Sequence, residues 1–179
     1  MRNLIVSSLV SLDGTHGDPQ SWVGDYFDQQ AAEESLAVLL DSDAMLMGRN
    51  TYDYFAPRWS SPSGPYLERI YEMRKYVFSS TLETADWENT TVLSGDFATE
   101  IGKLRDEVDG VILVAGSCQL VRGLIDHDLV DELRLMVFPV LLGYGKRLFG
   151  EQDDKKTLKL TDSKTVGGDG VLILTYESA

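Results

Sequence analysis

Ile112-Leu113-Val114-Ala115-Gly116-Ser117 leads directly into Leu120-Val121-Arg122-Gly123-Leu124-Ile125. A short apolar strand stops on a small residue and a glycine, and a helical pattern begins at once. A helix start offers unpaired backbone N–H groups and the positive end of a dipole, which together can seat a phosphate. Gly116 has no side chain to hold an anion off, and Ser117 supplies an N-cap or a hydroxyl ligand. The spacing is not that of G-x-G-x-x-G, so taken alone the turn reads as an ordinary strand-to-helix connection.

A second junction changes that balance. In Ala44-Met45-Leu46-Met47-Gly48-Arg49-Asn50-Thr51-Tyr52 an apolar strand again ends in glycine, now with an arginine directly after it. The planar guanidinium grips phosphate oxygens in pairs and suits a 2′-phosphate on an adenosine ribose. The plainer reading is a surface arginine paired with one of many acidic side chains. In an open α/β sheet ligands gather beyond the carboxyl ends of the strands, and both junctions belong on that edge.

Outward from these junctions the pattern alternates. Residues 2–10 read as a buried strand, 26–41 as a helix, 44–47 as a strand and 50–56 as a short helix. A Pro/Ser/Gly loop is predicted over 57–66, strands over 75–79 and 90–93, a helix over 97–108 and a strand over 110–115. The next helix runs to about His127, and a strand over 132–140 ends at Pro139. Strands over 157–166 and 171–177 flank Gly167-Gly168-Asp169-Gly170 as a hairpin. The predicted fold is a three-layer α/β/α domain over 1–179, its central sheet mostly parallel and closed by antiparallel C-terminal strands.

Composition bounds the function. Apolar and charged fractions of 43% and 25% are those of a soluble globular protein. No apolar run reaches the ~20 residues of a membrane span. The N-terminal residues enter a strand with no signal-peptide pattern, and a single cysteine makes no internal disulfide, so a cytoplasmic setting is expected. A net charge of −13 argues against nucleic-acid and anionic-membrane partners. An anionic ligand must then be held by local groups.

The chain resembles the dihydrofolate reductase-like superfamily. It looks closest to the reductase domain at the C-terminus of the bifunctional riboflavin-biosynthesis deaminase/reductase, RibD, and to stand-alone relatives. The resemblance rests on Ser11-Leu12-Asp13-Gly14, Met47-Gly48-Arg49-Asn50-Thr51-Tyr52, Tyr76-Val77-Phe78-Ser79-Ser80-Thr81, and Val114-Ala115-Gly116-Ser117 with Leu120-Val121. Phe138-Pro139-Val140-Leu141-Leu142-Gly143 and Gly145-Lys146-Arg147-Leu148-Phe149 complete the ordered set. It implies NADPH as hydride donor across the carboxyl edge of the sheet. Gly48, Arg49, Thr51, Ser79 and Ser80 would hold the adenosine half. Gly116, Ser117, Gln119 and Leu120 would take the pyrophosphate, and Leu12, Asp13 and Gly14 would border the nicotinamide. The implied acceptor is a C=N or C=O group of a small heterocyclic or phosphoribosyl-type substrate, such as the ribosylamino pyrimidine reduced in riboflavin biosynthesis. Homodimers are the implied assembly. Folate-reducing members carry an acid near the start of the first long helix, often with a tryptophan five residues before it. Here Phe27 follows Trp22 at that spacing, with Asp25 and Asp28 on either side, so dihydrofolate reduction is the weaker alternative. A nucleotide-binding module without turnover is another.

Several side chains carry two readings. Asp28 or Asp25 orients or protonates substrate, or serves as a first-turn acid favouring the helix dipole. Lys146 and Arg147 bind a substrate phosphate or are solvated turn residues. Asp13 shapes a turn rather than acting directly. Cys118 is a small packed residue despite its place near a helix start. His16 sits in a loop from which it can approach the cofactor, and His127 suits a helix end. No ligand spacing supports a metal site. Trp59 and Trp87 fall in loop-like segments that cover the sheet or an interface.

Overall fold

The computed structural model describes residues 3–58, 63–150 and 155–178, so Trp59 and the side chain of Asp25 lie outside the described residues. The elements run β1 (Asn3–Ser11), α1 (Gln29–Leu40), β2 (Ala44–Gly48), α2 (Arg49–Phe55), α3 (Pro65–Glu72), β3 (Arg74–Phe78) and β4 (Thr90–Leu93). They continue α4 (Phe97–Glu107), β5 (Val111–Val114), α5 (Cys118–Asp126), β6 (Glu132–Phe138), β7 (Leu158–Val166) and β8 (Val171–Ser178). One eight-stranded sheet takes the order β4-β3-β2-β5-β1-β6-β8-β7. β1 to β6 pair in parallel, while β8 runs antiparallel to β6 and to β7. The mostly parallel sheet with antiparallel C-terminal strands is the architecture the sequence predicts.

The apolar runs read as continuous because both faces of the parallel strands are covered. Side chains alternate between faces. Ala44, Leu46, Tyr76, Ile112 and Val114 pack with Ile101 and Leu104 of α4 and Leu120, Val121 and Leu124 of α5. Met45, Met47, Val77 and Leu113 point the other way, to Leu39 of α1, Tyr52 of α2 and Ile70 of α3. A third cluster, Trp22, Ala31, Met136, Phe138, Val166, Val171 and Ile173, closes the antiparallel end. Trp87 is buried in the second cluster, so it covers the sheet.

Two elements differ from expectation. The first helix starts at Gln29 rather than 26, because Asp28 takes an extended N-cap conformation and its carboxylate accepts from the Ala31 N–H at 3.0 Å. Gly24–Tyr26 forms only a 3₁₀ turn. Helix α3 is a helix that the sequence reading left inside and beyond a loop. Its start is built from Gly64 at φ +84° and Pro65 in the first turn, where proline's fixed φ and missing N–H cost nothing. The Gly-Pro pair that reads as loop is here a helix entry. Its far end is closed by Lys75, fully buried, whose ammonium donates to the carbonyls of Ile70, Tyr71 and Met73 at 2.8, 3.1 and 2.9 Å. Desolvation draws the Lys75 pKa down to about 8.

Candidate active site

The parallel order brings the carboxyl ends of β3, β2, β5 and β1 to one rim, in that sequence. Their following residues are Ser79-Ser80, Arg49, Ala115-Gly116-Ser117 and Leu12-Asp13-Gly14. At ~4.8 Å per strand, this row spans about 14 Å.

The two glycine junctions meet at its centre. Gly48 N–H donates to Gly116 O at 3.1 Å, and Ala115 N–H to Leu46 O at 3.0 Å. Ser117 is the N-cap of α5, but its hydroxyl makes no cap bond and lies against Gly48, where an added Cβ would run into Ser117 Oγ. Glycine at 48 is therefore a requirement of close approach. The Gly116–Ser117 peptide is cis, and Gly116 has φ +90°. A Cβ there would stand 3.2 Å from His16 Nε2 and 3.3 Å from Thr51 Oγ1.

From this centre a groove of about 410 Å³ runs toward β3 and α4, lined by Gly48, Arg49, Asn50, Phe78, Ser79, Ser80, Thr81, Phe97, Ser117, Gln119, Leu120, Gly123 and His127. None of these is acidic, although the chain holds 29 Asp and Glu residues. Phe78 and Phe97 meet edge to face at 4.9 Å, giving one end an aromatic wall. Arg49 opens α2 and pairs through Nε with both carboxylate oxygens of Asp53 at 2.7 Å. The surface ion pair of the plainer sequence reading is therefore present, and the same arginine also lines the groove. Ser79 is buried, its hydroxyl accepting from the Thr81 and Leu82 N–H groups at 3.2 and 3.1 Å, whereas Ser80 is exposed.

At the β1 end, Asp13 accepts from Ser11 Oγ at 2.6 Å, Gly143 N–H at 2.8 Å and Leu142 N–H at 3.3 Å. These bonds, the Ser11 hydroxyl foremost, hold its pKa down to about 2. Asp13 is thus the turn-shaping residue expected, and it ties the loop after β1 to the loop after β6. Leu12 is 61% exposed beside it, and Gly14 sits at φ +84°.

The match to known sequences follows the same geometry: the profile of the RibD C-terminal domain aligns with residues 2–172. The chain belongs to the RibD C-terminal domain family. It is 30% identical over 139 residues to the uncharacterized protein YyaP of Bacillus subtilis, covering 75% of this chain and 73% of that one. Among solved structures it is similar to a Shewanella protein assigned to riboflavin biosynthesis, with TM-score 0.79, 24% identity and 99% of each chain covered. Dihydrofolate reductase from Enterococcus faecalis, complexed with NADP(H), matches with TM-score 0.69 and 16% identity over 98% of this chain and 96% of that one. The fold is therefore dihydrofolate reductase-like.

The RibD-type groove gathers Gly48, Arg49, Ser79, Ser80, Ser117, Gln119 and Leu120 from the predicted set, with Thr51 and Gly116 at its inner corner. Other predicted residues lie apart from its lining. Asp28 caps α1 and stands against Gly167 of the β7–β8 turn. Lys146 and Arg147 are exposed on the segment after β6, their carbonyls accepting from His16 and Gly17 N–H groups and from Arg122 Nη2 respectively. Cys118 is partly buried, and that burial raises its thiol pKa against the lowering a helix start can bring. Among the described residues no group of three or more His, Cys, Asp or Glu side chains can hold a metal ion, and no helix is long and apolar enough to cross a membrane. The sequence reading missed Phe97 and His127 as groove residues. Phe97 opens α4 after Ser94-Gly95-Asp96, which follow β4, so a search for helix starts that follow a strand and a glycine would have found it. His127 reaches the groove from the end of α5, packing on Phe97 at 5.4 Å and bonding Gly123 O at 2.8 Å, and no local signal marks it.

Proposed function

We propose that this RibD-family protein is an NADPH-dependent reductase of a small heterocyclic or phosphoribosyl-type substrate. The observation that carries this is the meeting of the corners at Gly48 and Gly116–Ser117 above a groove free of acidic side chains. Glycine backbone and a helix start fit a pyrophosphate, and Arg49 with Ser80 fits a 2′-phosphate. Phe78 and Phe97 offer an apolar wall to the adenine. Thr51, which the resemblance assigns to the adenosine half, stands instead at the Gly116 corner, and with the Leu12–Gly14 loop that corner would border the nicotinamide end.

The bound dinucleotide supplies a hydride for a C=N or C=O carbon. The chain's own work is placement and exclusion of water. The Asp13 clamp fixes the loop that would border the nicotinamide end, and the accompanying proton comes from water, since Asp28 is held away as the α1 cap. Reduction of a ribosylamino pyrimidine, in a homodimeric cytoplasmic enzyme, is the specific form of this reading that the family suggests.

One observation favours a second reading. Asp28, the nearest equivalent of the acid used by folate-reducing relatives, is occupied as a helix cap. A protein that keeps the cradle without turnover would be a nucleotide-binding module. Titration with NADPH, followed by incubation with C=N and C=O acceptors including a ribosylamino pyrimidine, separates the two. Loss of nicotinamide absorbance with an acceptor supports the reductase; binding without oxidation of any acceptor supports the module. Absence of NADPH binding overturns both.

A further inference from the structure

His16 stands at the junction of β1, β2 and β5 with one ring nitrogen unspent. Its backbone is fixed, because His16 N–H and Gly17 N–H both donate to Lys146 O, at 2.8 and 3.0 Å. Trp22 Nε1 donates to Gly17 O at 3.0 Å and holds the next residue. The ring Nδ1 lies 3.0 Å from Leu9 O. A carbonyl only accepts, so Nδ1 must carry the hydrogen, and in the neutral ring Nε2 is then a lone-pair acceptor. Burial lowers the His16 pKa from its usual 6.5, which favours that neutral form at pH 7. Nε2 has no hydrogen-bond partner among the described residues, and both it and Thr51 Oγ1 stand where a Cβ on Gly116 would point. An acceptor held in a fixed tautomer beside Gly116, where the two glycine junctions meet, is matched by a ligand N–H.

We propose that His16 is a positioning residue for the nicotinamide end of the cofactor, its Nε2 accepting a hydrogen bond from the carboxamide N–H. The assignment rests on the NADPH reading above. It follows from the order of the strand ends. With the 2′-phosphate at Arg49 and the pyrophosphate at Gly48 and Ser117, the remaining direction along the rim leads from β5 toward β1, where His16 lies. A carboxamide held there fixes which face of the nicotinamide ring is open to substrate, so His16 acts through the cofactor's orientation.

Three probes test this in equilibrium binding: NADPH, its 3-acetylpyridine analogue, which lacks the carboxamide N–H, and 2′-phospho-ADP-ribose, which lacks the ring altogether. The unaltered protein should bind NADPH about three- to tenfold more tightly than the acetylpyridine analogue, the worth of one hydrogen bond. His16→Leu should weaken NADPH by the same factor, erase its advantage over the analogue and leave 2′-phospho-ADP-ribose unchanged. His16→Gln, which keeps an acceptor, should restore the preference. Equal binding of NADPH and the analogue by the unaltered protein overturns the proposal, and this comparison holds even where a variant does not fold. A His16→Leu protein that loses affinity for all three probes alike also overturns it. If none of the probes binds the unaltered protein, the cofactor reading falls and takes the proposal with it.

Discussion

Replacing Arg49 with alanine tests the cofactor assignment at the position where two forces compete. A guanidinium–phosphate hydrogen bond is worth about 1.5–3 kcal/mol. Arg49 must first give up part of its hold on Asp53, a pair whose side chains are 38% and 49% exposed. An exposed helical pair spaced by four residues contributes only about 0.3–0.5 kcal/mol, so it does not lock the arginine away. The difference leaves about 1–2.7 kcal/mol, or roughly 5- to 100-fold in dissociation constant. Salt screening at this exposed site favours the lower half of that range. Arg49→Ala should therefore weaken NADPH by that factor and leave NADH within about twofold, since NADH has no 2′-phosphate. Asp53→Ala should act oppositely, tightening NADPH about twofold by freeing the guanidinium. Calorimetric titration of both cofactors against the three proteins, at low and high salt, gives all the required constants. Equal losses for NADPH and NADH on Arg49→Ala would remove the arginine from 2′-phosphate recognition, and weaker NADPH binding by Asp53→Ala would refute the competition.

Gly116→Val should abolish NADPH binding by titration while the protein still melts cooperatively. Its positive φ adds about 1–3 kcal/mol of backbone strain, and an unchanged dissociation constant would move the pyrophosphate elsewhere. Lys75→Met leaves three carbonyls without their donor, at about 1 kcal/mol each, so the melting temperature should fall by roughly 6–12 °C. A fall under about 2 °C would mean that water or a shifted helix end satisfies them. The Asp13 pKa is depressed from 3.8 to about 2, so its clamp contributes fully above pH 3.8 and is lost as pH falls through 2. The amide of Gly143 should exchange faster in Asp13→Ala than in the unaltered protein at neutral pH, and equal rates would show that the clamp holds nothing there.

Most of the sheet was legible because parallel strands buried on both faces write themselves as unbroken apolar runs. Ala44–Gly48 is buried at every position, and Val111–Val114 nearly so. The strand-to-helix glycines were legible for a different reason: only glycine lets Ser117 approach residue 48. What escaped was set by tertiary context. Helix α3 enters through Gly64-Pro65, and its pattern leaves only Ile70 buried among its own residues. A lysine then ends it from inside the core, and no periodicity rule anticipates a buried Lys75. The order of the strand ends was equally invisible, since it depends on which pairs form and not on the runs themselves. That order, β3-β2-β5-β1, is what turns separate motifs into one row.

The row also bears on how a chain of net charge −13 would hold the dinucleotide proposed above. At physiological salt, charges farther apart than about 8 Å are largely screened. The chain's total charge therefore sets solubility and encounter rate more than the energy of a bound phosphate. Within that distance the groove presents Arg49, hydroxyls, a glutamine and a helix start, and no carboxylate lines it. Asp53 pairs with Arg49 from outside the groove lining and is the competitor weighed above. Parallel pairing makes this separation possible by directing several strand ends, with the helix starts that follow them, onto a single rim. The hairpin of β7 and β8 lies beyond β6 at the far end of the sheet, its turn is followed by a strand and not by a helix start, and none of its residues lines the groove. On the proposed reading the acids can then spread over the remaining surface, because the anion would be met by groups that the sheet's topology gathers and not by the overall field.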